Sequence, residues 1–389
     1  MRPFFLNHNL SLRGVVASLD EALSDINGNT GNSYIAYAVA RALSLTDPPH
    51  GIANIFQCDP TSIDFDLVNR EYTHAFLILQ DHLGPSWNSV NWPSLSGIIK
   101  RIKIPLVVFS LGMRAALDWS VKDVVEGLSP AAADFFRLLD RQAVSIGIRG
   151  SITAEVLSRM GIKNFAIVGC PTYFEAGPGR RVEKAVFSDD LRIGALGGFA
   201  NQYAHDPIFV LQSEEAILQA LLGKRPLRPD EIRHLASTYP DYTKSLVAAA
   251  REGRTRFFID IPSWKRFVTE SIDLGAGTRM HGSTLCLNVG RPVIVTAGDF
   301  RAREMCALFG IPHYDAAGLT YTPLTELVDM AAVDELNARY DALYDGFTGW
   351  LVACGLTPTP AELEMAWAWT GLSQIEGPQP EQQLARIIP

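Results

Sequence analysis

Five strand-length apolar segments, at residues 51–56, 74–79, 105–111, 143–148 and 165–168, are separated by polar or helix-patterned stretches long enough to cross back over a sheet. Parallel strands need connections of about a dozen residues or more, and those connections cover the sheet faces. The spacing therefore predicts a mostly parallel sheet with helices on both sides. A chain of 389 residues exceeds one ordinary domain, so two α/β domains are expected. In such sheets ligands sit beyond the carboxyl ends of the strands, and the residues that follow each apolar segment are the candidates for chemistry.

Those residues are Gln80-Asp81-His82, Gly112-Met113-Arg114 and Arg149-Gly150-Ser151. Asp81 and His82 read as loop-stabilising. Arg149 leaves a strand where a helix starts at Ser151, a place that suits an anion held by open N–H groups and a guanidinium. A surface arginine paired with Asp140 or Glu155 is the plainer reading. Nearer the N-terminus, Asn27-Gly28-Asn29-Thr30-Gly31-Asn32 precedes a stretch at 33–45 in which Ile35, Val39 and Leu43 form a helical stripe, capped by Asn32 or Ser33. The loop is either a tight surface turn or a small-residue lip that opens the helix toward a ligand.

A breaker-rich stretch around Gly177-Pro178-Gly179 marks a linker at 173–191, between an N-terminal domain at 1–172 and a second domain at 192–330. The second domain restarts with a strand at 191–196, then helical patterns at 214–222 and 241–251. Its densest polar interruption is Gly275-Ala276-Gly277-Thr278-Arg279-Met280-His281-Gly282, between strand material at 256–260 and 272–274 and a helix at 283–289. As a strand-to-helix turn it presents Arg279 and His281 beside open N–H groups, where the pair can clamp an anion and move a proton; a purely structural turn is the alternative. After a strand at 292–296, Asp299 caps a helix whose first turn carries Arg301 on the ligand side, unless that arginine pairs with Glu304. C-terminal helices at 331–376, with Trp367 and Trp369 as packing residues, and a disordered tail at 377–389 complete the chain.

Composition narrows the function. A formal charge of −8 without a basic run argues against nucleic acid as a partner. The five cysteines are widely spaced and suit neither a disulfide framework nor a zinc site, which points to a reducing compartment. The longest apolar run, 105–111, is far too short to span a bilayer, and the first 13 residues lack the apolar core of a signal peptide, so a cytoplasmic location is expected. No pair of histidines or carboxylates has ligand spacing, and no metal is expected.

Taken together, the Asn-Gly-Asn-Thr-Gly-Asn loop, residues 145–150 with Gly161-Ile162-Lys163-Asn164, and residues 277–282 with Gly290-Arg291-Pro292 resemble the polysaccharide pyruvyl transferase family, over roughly residues 27–312. The resemblance implies two Rossmann-like domains facing a central cleft in the GT-B-like manner. It also implies phosphoenolpyruvate as donor, no further cofactor, and a carbohydrate acceptor from a cell-surface polysaccharide or its lipid-linked precursor, met by peripheral rather than membrane-spanning contact. Arg149 and Arg279-Met280-His281, standing where the family has Arg-Leu-His, would line the donor site. Arg301, Asp299, Gly277, Gly282, Asn29, Gly31 and Asn32 would complete the donor pocket. Two features depart from the family pattern: a lysine is common where this chain has Arg301, and a glycine-rich segment where it has Gln80-Asp81-His82.

Phosphoenolpyruvate carries a phosphate and a carboxylate, so its site needs at least two converging cations, and Arg149 and Arg279 come from opposite domains. His281 is the candidate acid for the donor methylene. A GT-B-like glycosyltransferase with a nucleotide-sugar donor, its diphosphate held by Arg279 and Arg301, is the main alternative. A non-catalytic carbohydrate-binding paralogue is a third reading.

Overall fold

The computed structural model describes residues 1–7, 26, 28–45, 50–52, 54–198, 206–213, 228–231, 245–246, 248–249, 252–315 and 323–359. One sheet contains β1 Pro3–Leu6, β2 His50–Ile52, β3 His74–Ile78, β4 Leu106–Leu111, β5 Ala143–Ile148 and β6 Phe165–Ile167, all parallel, in the order β2-β1-β3-β4-β5-β6. The other contains β7 Ile193–Ala195, β8 Ile208–Leu211, β9 Thr255–Phe257, β10 Leu274–Gly277, β11 Val293–Ala297 and β12 His313–Asp315, also parallel, in the order β12-β11-β10-β7-β8-β9. Every residue of β4 and of β11 is buried, as expected of central strands covered on both faces.

Each sheet reverses the direction in which strands are added once, between β1 and β3 in the first and between β7 and β10 in the second. Crossover helices leave such a point toward opposite faces, and a crevice opens beyond the strand ends. The second sheet has the 3-2-1-4-5-6 order of dinucleotide-binding folds. The protein is thus an α/β chain of two Rossmann-like units whose crevices face each other.

Several local expectations shift. β2 ends at Ile52 rather than running to 56, because Asn54 Oδ1 accepts the Phe56 N–H at 3.0 Å and turns the chain out of the sheet. β1, β8 and β12 have three or four residues each, too few to announce a period. Gly275 to Gly277 lie in β10 rather than in a turn, and the following helix begins at Met280. Gly277 has φ 143°, and a Cβ there would stand 2.3 Å from the Leu196 carbonyl oxygen, so this glycine serves the close approach of β7 and β10. The first helix is Thr30–Ala42, and its cap is Asn29, whose side chain accepts the Gly31 N–H at 2.9 Å, not Asn32 or Ser33.

The expected linker is a packed connection. Phe174 and Glu175 are buried, Glu175 takes Arg41 and Lys265 as partners at 2.9 and 2.8 Å, and Arg180 lies over the rings of Tyr173 and Tyr340 at 4.3 and 3.9 Å. Two helices, Leu324–Met330 and Asp334–Ala353, follow β12. The longer helix returns to the N-terminal sheet, where Trp350 Nε1 donates to Ser145 Oγ at 3.0 Å and its ring meets Phe109 edge-on. One apolar cluster therefore runs from Phe5, Phe76 and Phe109 through Tyr34 to Leu285, Val293 and Trp350, and couples the two units. The helices expected at 214–222 and 241–251 lie wholly or largely outside the described residues, as do Trp367, Trp369 and the tail at 377–389. Among the described residues no helix is long and apolar enough to cross a membrane.

Candidate active site

A cavity of about 630 Å³ lies between the carboxyl ends of the two sheets. Gln80, Asp81, His82 and Trp87 reach it after β3, Thr278 and Arg279 after β10, and Asp299 and Arg301 after β11. Asn29 and Asn32 close the seam from the start of the helix Thr30–Ala42. The switch points of both sheets supply the walls, so the topology, more than any one motif, decides which loops meet.

Charge in the cavity is largely paired. Arg301 Nη1 donates to Asp81 Oδ2 at 3.2 Å across the cleft, while Nη2 donates to Asp299 Oδ2 at 3.0 Å. Asp299 also caps the helix Phe300–Phe309 by accepting the Ala302 N–H at 2.9 Å. Burial opposes the charge on Arg301, but Asp299 and Asp81 outweigh it and raise its pKa. Burial likewise works against the Asp81 carboxylate; Arg301, His82, Arg149 and Arg114 together hold it below the usual carboxylate value.

His82 is sandwiched. Its ring stacks on Phe56 at 4.1 Å and approaches Trp87 at 4.3 Å. Burial pushes its pKa from 6.5 down to about 4, with Arg149 and Arg114 adding to the effect and Asp81 opposing it. The neutral ring accepts the Gln80 N–H on Nδ1 at 3.4 Å, which leaves the proton on Nε2 as a donor. Asp81 and His82, expected only to stabilise a loop, are cavity residues.

Beneath the cavity lies an inner polar layer. Arg149 is 1 % exposed, neither Asp140 nor Glu155 is its partner, and its Nη2 has no hydrogen-bond partner among the described residues. Its Nε donates to Ser110 Oγ at 3.1 Å, and Ser110 Oγ donates to Cys170 Sγ at 3.1 Å. Ser110 has φ 64°, at the register shift between β4 and β5, and this bulge is what turns its hydroxyl toward Arg149. His281 Nε2 stands 4.0 Å from the same sulfur. The helix that Arg149 precedes, Ser151–Arg159, is not open to a ligand as expected, because Glu304 from the other unit accepts the Thr153 N–H at 3.0 Å and its hydroxyl at 2.7 Å. Burial raises the Glu304 pKa, against the pull of Thr153 and Arg149.

The polysaccharide pyruvyl transferase family profile matches residues 29–299. The chain belongs to this family. Membership makes the protein a transferase. Among solved structures, the glycotransferase of kitacinnamycin is similar at 11% identity, covering 89% of this chain and 94% of that one, with a TM-score of 0.36. The Methanocaldococcus jannaschii UDP-GlcNAc 2-epimerase in complex with UDP-GlcNAc and UDP is similar at 11% identity, covering 87% and 93%, with a TM-score of 0.38. No curated protein matches the sequence.

Against the expected donor set, Arg279, Arg301, Asp299, Asn29 and Asn32 line the cavity, whereas Arg149 and His281 lie one layer deeper. The glycines serve other parts of the protein. A Cβ on Gly31 would stand 2.9 Å from His281 Nδ1, and one on Gly282 would stand 2.7 Å from Gln212 Nε2, so Gly31, Gly277 and Gly282 make room for protein groups and do not line the cavity. Gly112 does the same for Arg149, whose Cδ would be 2.6 Å from a Cβ there. The residues that sequence reasoning missed are Ser110, Cys170 and Glu304; a serine inside a strand, a lone cysteine and a helical glutamate carry no local signal. Among the described residues no group of three His, Cys, Asp or Glu could hold a metal ion.

Proposed function

We propose that this transferase moves the pyruvyl group of phosphoenolpyruvate, as a ketal, onto a sugar of a cell-surface polysaccharide or its lipid-linked precursor. The carrying observation is Arg149, a buried guanidinium whose Nη2 finds no acceptor among the described residues, in a member of this family. A buried guanidinium nitrogen without an acceptor is a standing demand for one, and an anion can supply it. On this reading Arg149 and Arg279 hold the phosphate and carboxylate from opposite units. In the reaction the donor methylene takes one proton from His281 and becomes a methyl group, two acceptor hydroxyls form C–O bonds to the adjacent carbon, and the C–O bond to phosphate breaks. The hydroxyls release two protons: one restores His281, and the other leaves with phosphate.

Thermal melting with phosphoenolpyruvate against a panel of nucleotide sugars tests the reading. At about a hundred times its Kd a specific donor stabilises by about 2.7 kcal/mol. Phosphoenolpyruvate should give that shift; a shift confined to a nucleotide sugar would overturn the proposal in favour of glycosyl transfer.

A further inference from the structure

Four side chains from separate parts of the fold form one chain beneath the cavity: Arg149 after β5, Ser110 in β4, Cys170 after β6 and His281 in the helix Met280–Asn288. We propose that Cys170 is a positioning residue for His281, its thiol exchanging donor and acceptor roles with the imidazole as the ring gains and loses its proton. The role of that proton rests on the pyruvyl-transfer reading; the contact does not.

The donor directions follow from chemistry. Arg149 Nε can only donate, so Ser110 Oγ accepts from it and keeps its own proton for Cys170 Sγ, 3.1 Å away. Thr172 Oγ1 donates to the same sulfur at 3.2 Å. With two hydroxyl protons pointing inward, the thiol proton faces His281 Nε2 at 4.0 Å, within the longer reach of a sulfur bond. The imidazole ring is backed on its Nδ1 side by Gly31, where a Cβ would come within 2.9 Å. Cys170 itself is 0 % exposed. The ring thus lies between a glycine backbone and a fully buried sulfur.

A general acid spends each turnover in two protonation states, and its partner must suit both. When His281 is neutral, S–H donates to Nε2 and the ring proton sits on Nδ1. When His281 is an imidazolium, Nε2–H donates to the sulfur, and this is the proton the ring gives up when it turns toward the donor. The thiol proton then turns to Thr172 Oγ1, whose hydroxyl can turn to Thr284 Oγ1, 3.1 Å away. No bond to sulfur forms or breaks. A side chain that only donates, or only accepts, would hold the ring in one state and release it in the other. Arg149 sits at the far end of the chain, so a donor anion that draws on this guanidinium also moves Ser110 and the sulfur.

The test combines long-range ¹H–¹⁵N spectra of the imidazoles in the full-length protein with steady-state kinetics. Neutral His281 should carry its proton on Nδ1 in the wild type, relax toward the Nε2–H form in Cys170→Ala, and keep the wild-type form in Cys170→Ser. For pyruvyl transfer, Cys170→Ala should lower kcat roughly tenfold with KM for phosphoenolpyruvate nearly unchanged, a fraction of the ~10²- to 10⁴-fold contribution of positioned proton transfer. Cys170→Ser should recover most of the loss. A Cys170→Ala protein with the wild-type His281 spectrum and kcat would overturn the proposal, as would a serine variant no better than alanine in both readouts. If the wild type transfers no pyruvyl group, the functional reading fails while the spectra still decide the role of Cys170.

Discussion

Asp81 Oδ2 receives Arg301 Nη1 at 3.2 Å across the cleft. Arginine can reach Asp81 with one nitrogen and Asp299 with the other, which a single ammonium cannot do in the same geometry. The pair ties the units together and neutralises a cavity cation. Removing the carboxylate should therefore loosen the fold and strengthen anion binding. Asp81→Asn is expected to lower the apo melting temperature while tightening phosphoenolpyruvate about fivefold, on the order of 1 kcal/mol. Isothermal titration checks it, and weaker binding would show that Asp81 does not compete with the donor.

Arg149 combines burial with an Nη2 that has no partner among the described residues. Replacing it by a long apolar side chain removes the desolvated charge, so Arg149→Met should hold or raise apo stability by about 1–2 kcal/mol while losing the phosphoenolpyruvate-induced shift. Urea unfolding reports the first quantity and thermal melting the second. A variant that loses stability and still responds to the donor would assign Arg149 to structure alone.

His82 gives the fold a pH dependence. Its folded pKa is about 4 against an ordinary 6.5, so between those values the unfolded chain binds more protons and stability rises with pH. The contribution is fully present above about pH 6.5 and is lost as pH falls toward 4; its size is on the order of 3 kcal/mol. His82→Gln should flatten the difference in unfolding free energy between pH 7 and pH 4.5 by about 2 kcal/mol. Parallel wild-type and variant curves would show that another group governs this window.

Two glycines in helices should respond oppositely to alanine. Gly97, in the helix Trp92–Arg101, has nothing within 4 Å of a built Cβ, so Gly97→Ala should stabilise by about 0.5–1 kcal/mol. A Cβ on Gly31 would stand 2.9 Å from His281 and 2.7 Å from Gln212, so Gly31→Ala should displace the imidazole and cut transfer roughly tenfold or more. Equal behaviour of the two variants would remove Gly31 from the account of His281.

The sequence by itself determined what is local. Strand-length apolar runs separated by crossovers predict parallel α/β units; four of the five, at 74–79, 105–111, 143–148 and 165–168, differ from β3, β4, β5 and β6 by at most one residue at an end. The cap at Asp299 and the short motif at Arg279 and His281 were also readable, because a capping bond spans three residues and a motif a few more. Only the tertiary structure decided the partners. That Arg149 meets Ser110 and not Asp140 or Glu155, that Glu304 fills the helix end reserved for a ligand, and that Arg301 finds Asp81 220 positions away all depend on which strand ends the two sheets bring together. Periodicity reports the face an element buries; it carries no record of what another element places against that face. Burial, pairing and protonation are set by that second element, which is why the site's residue types were legible and its wiring was not.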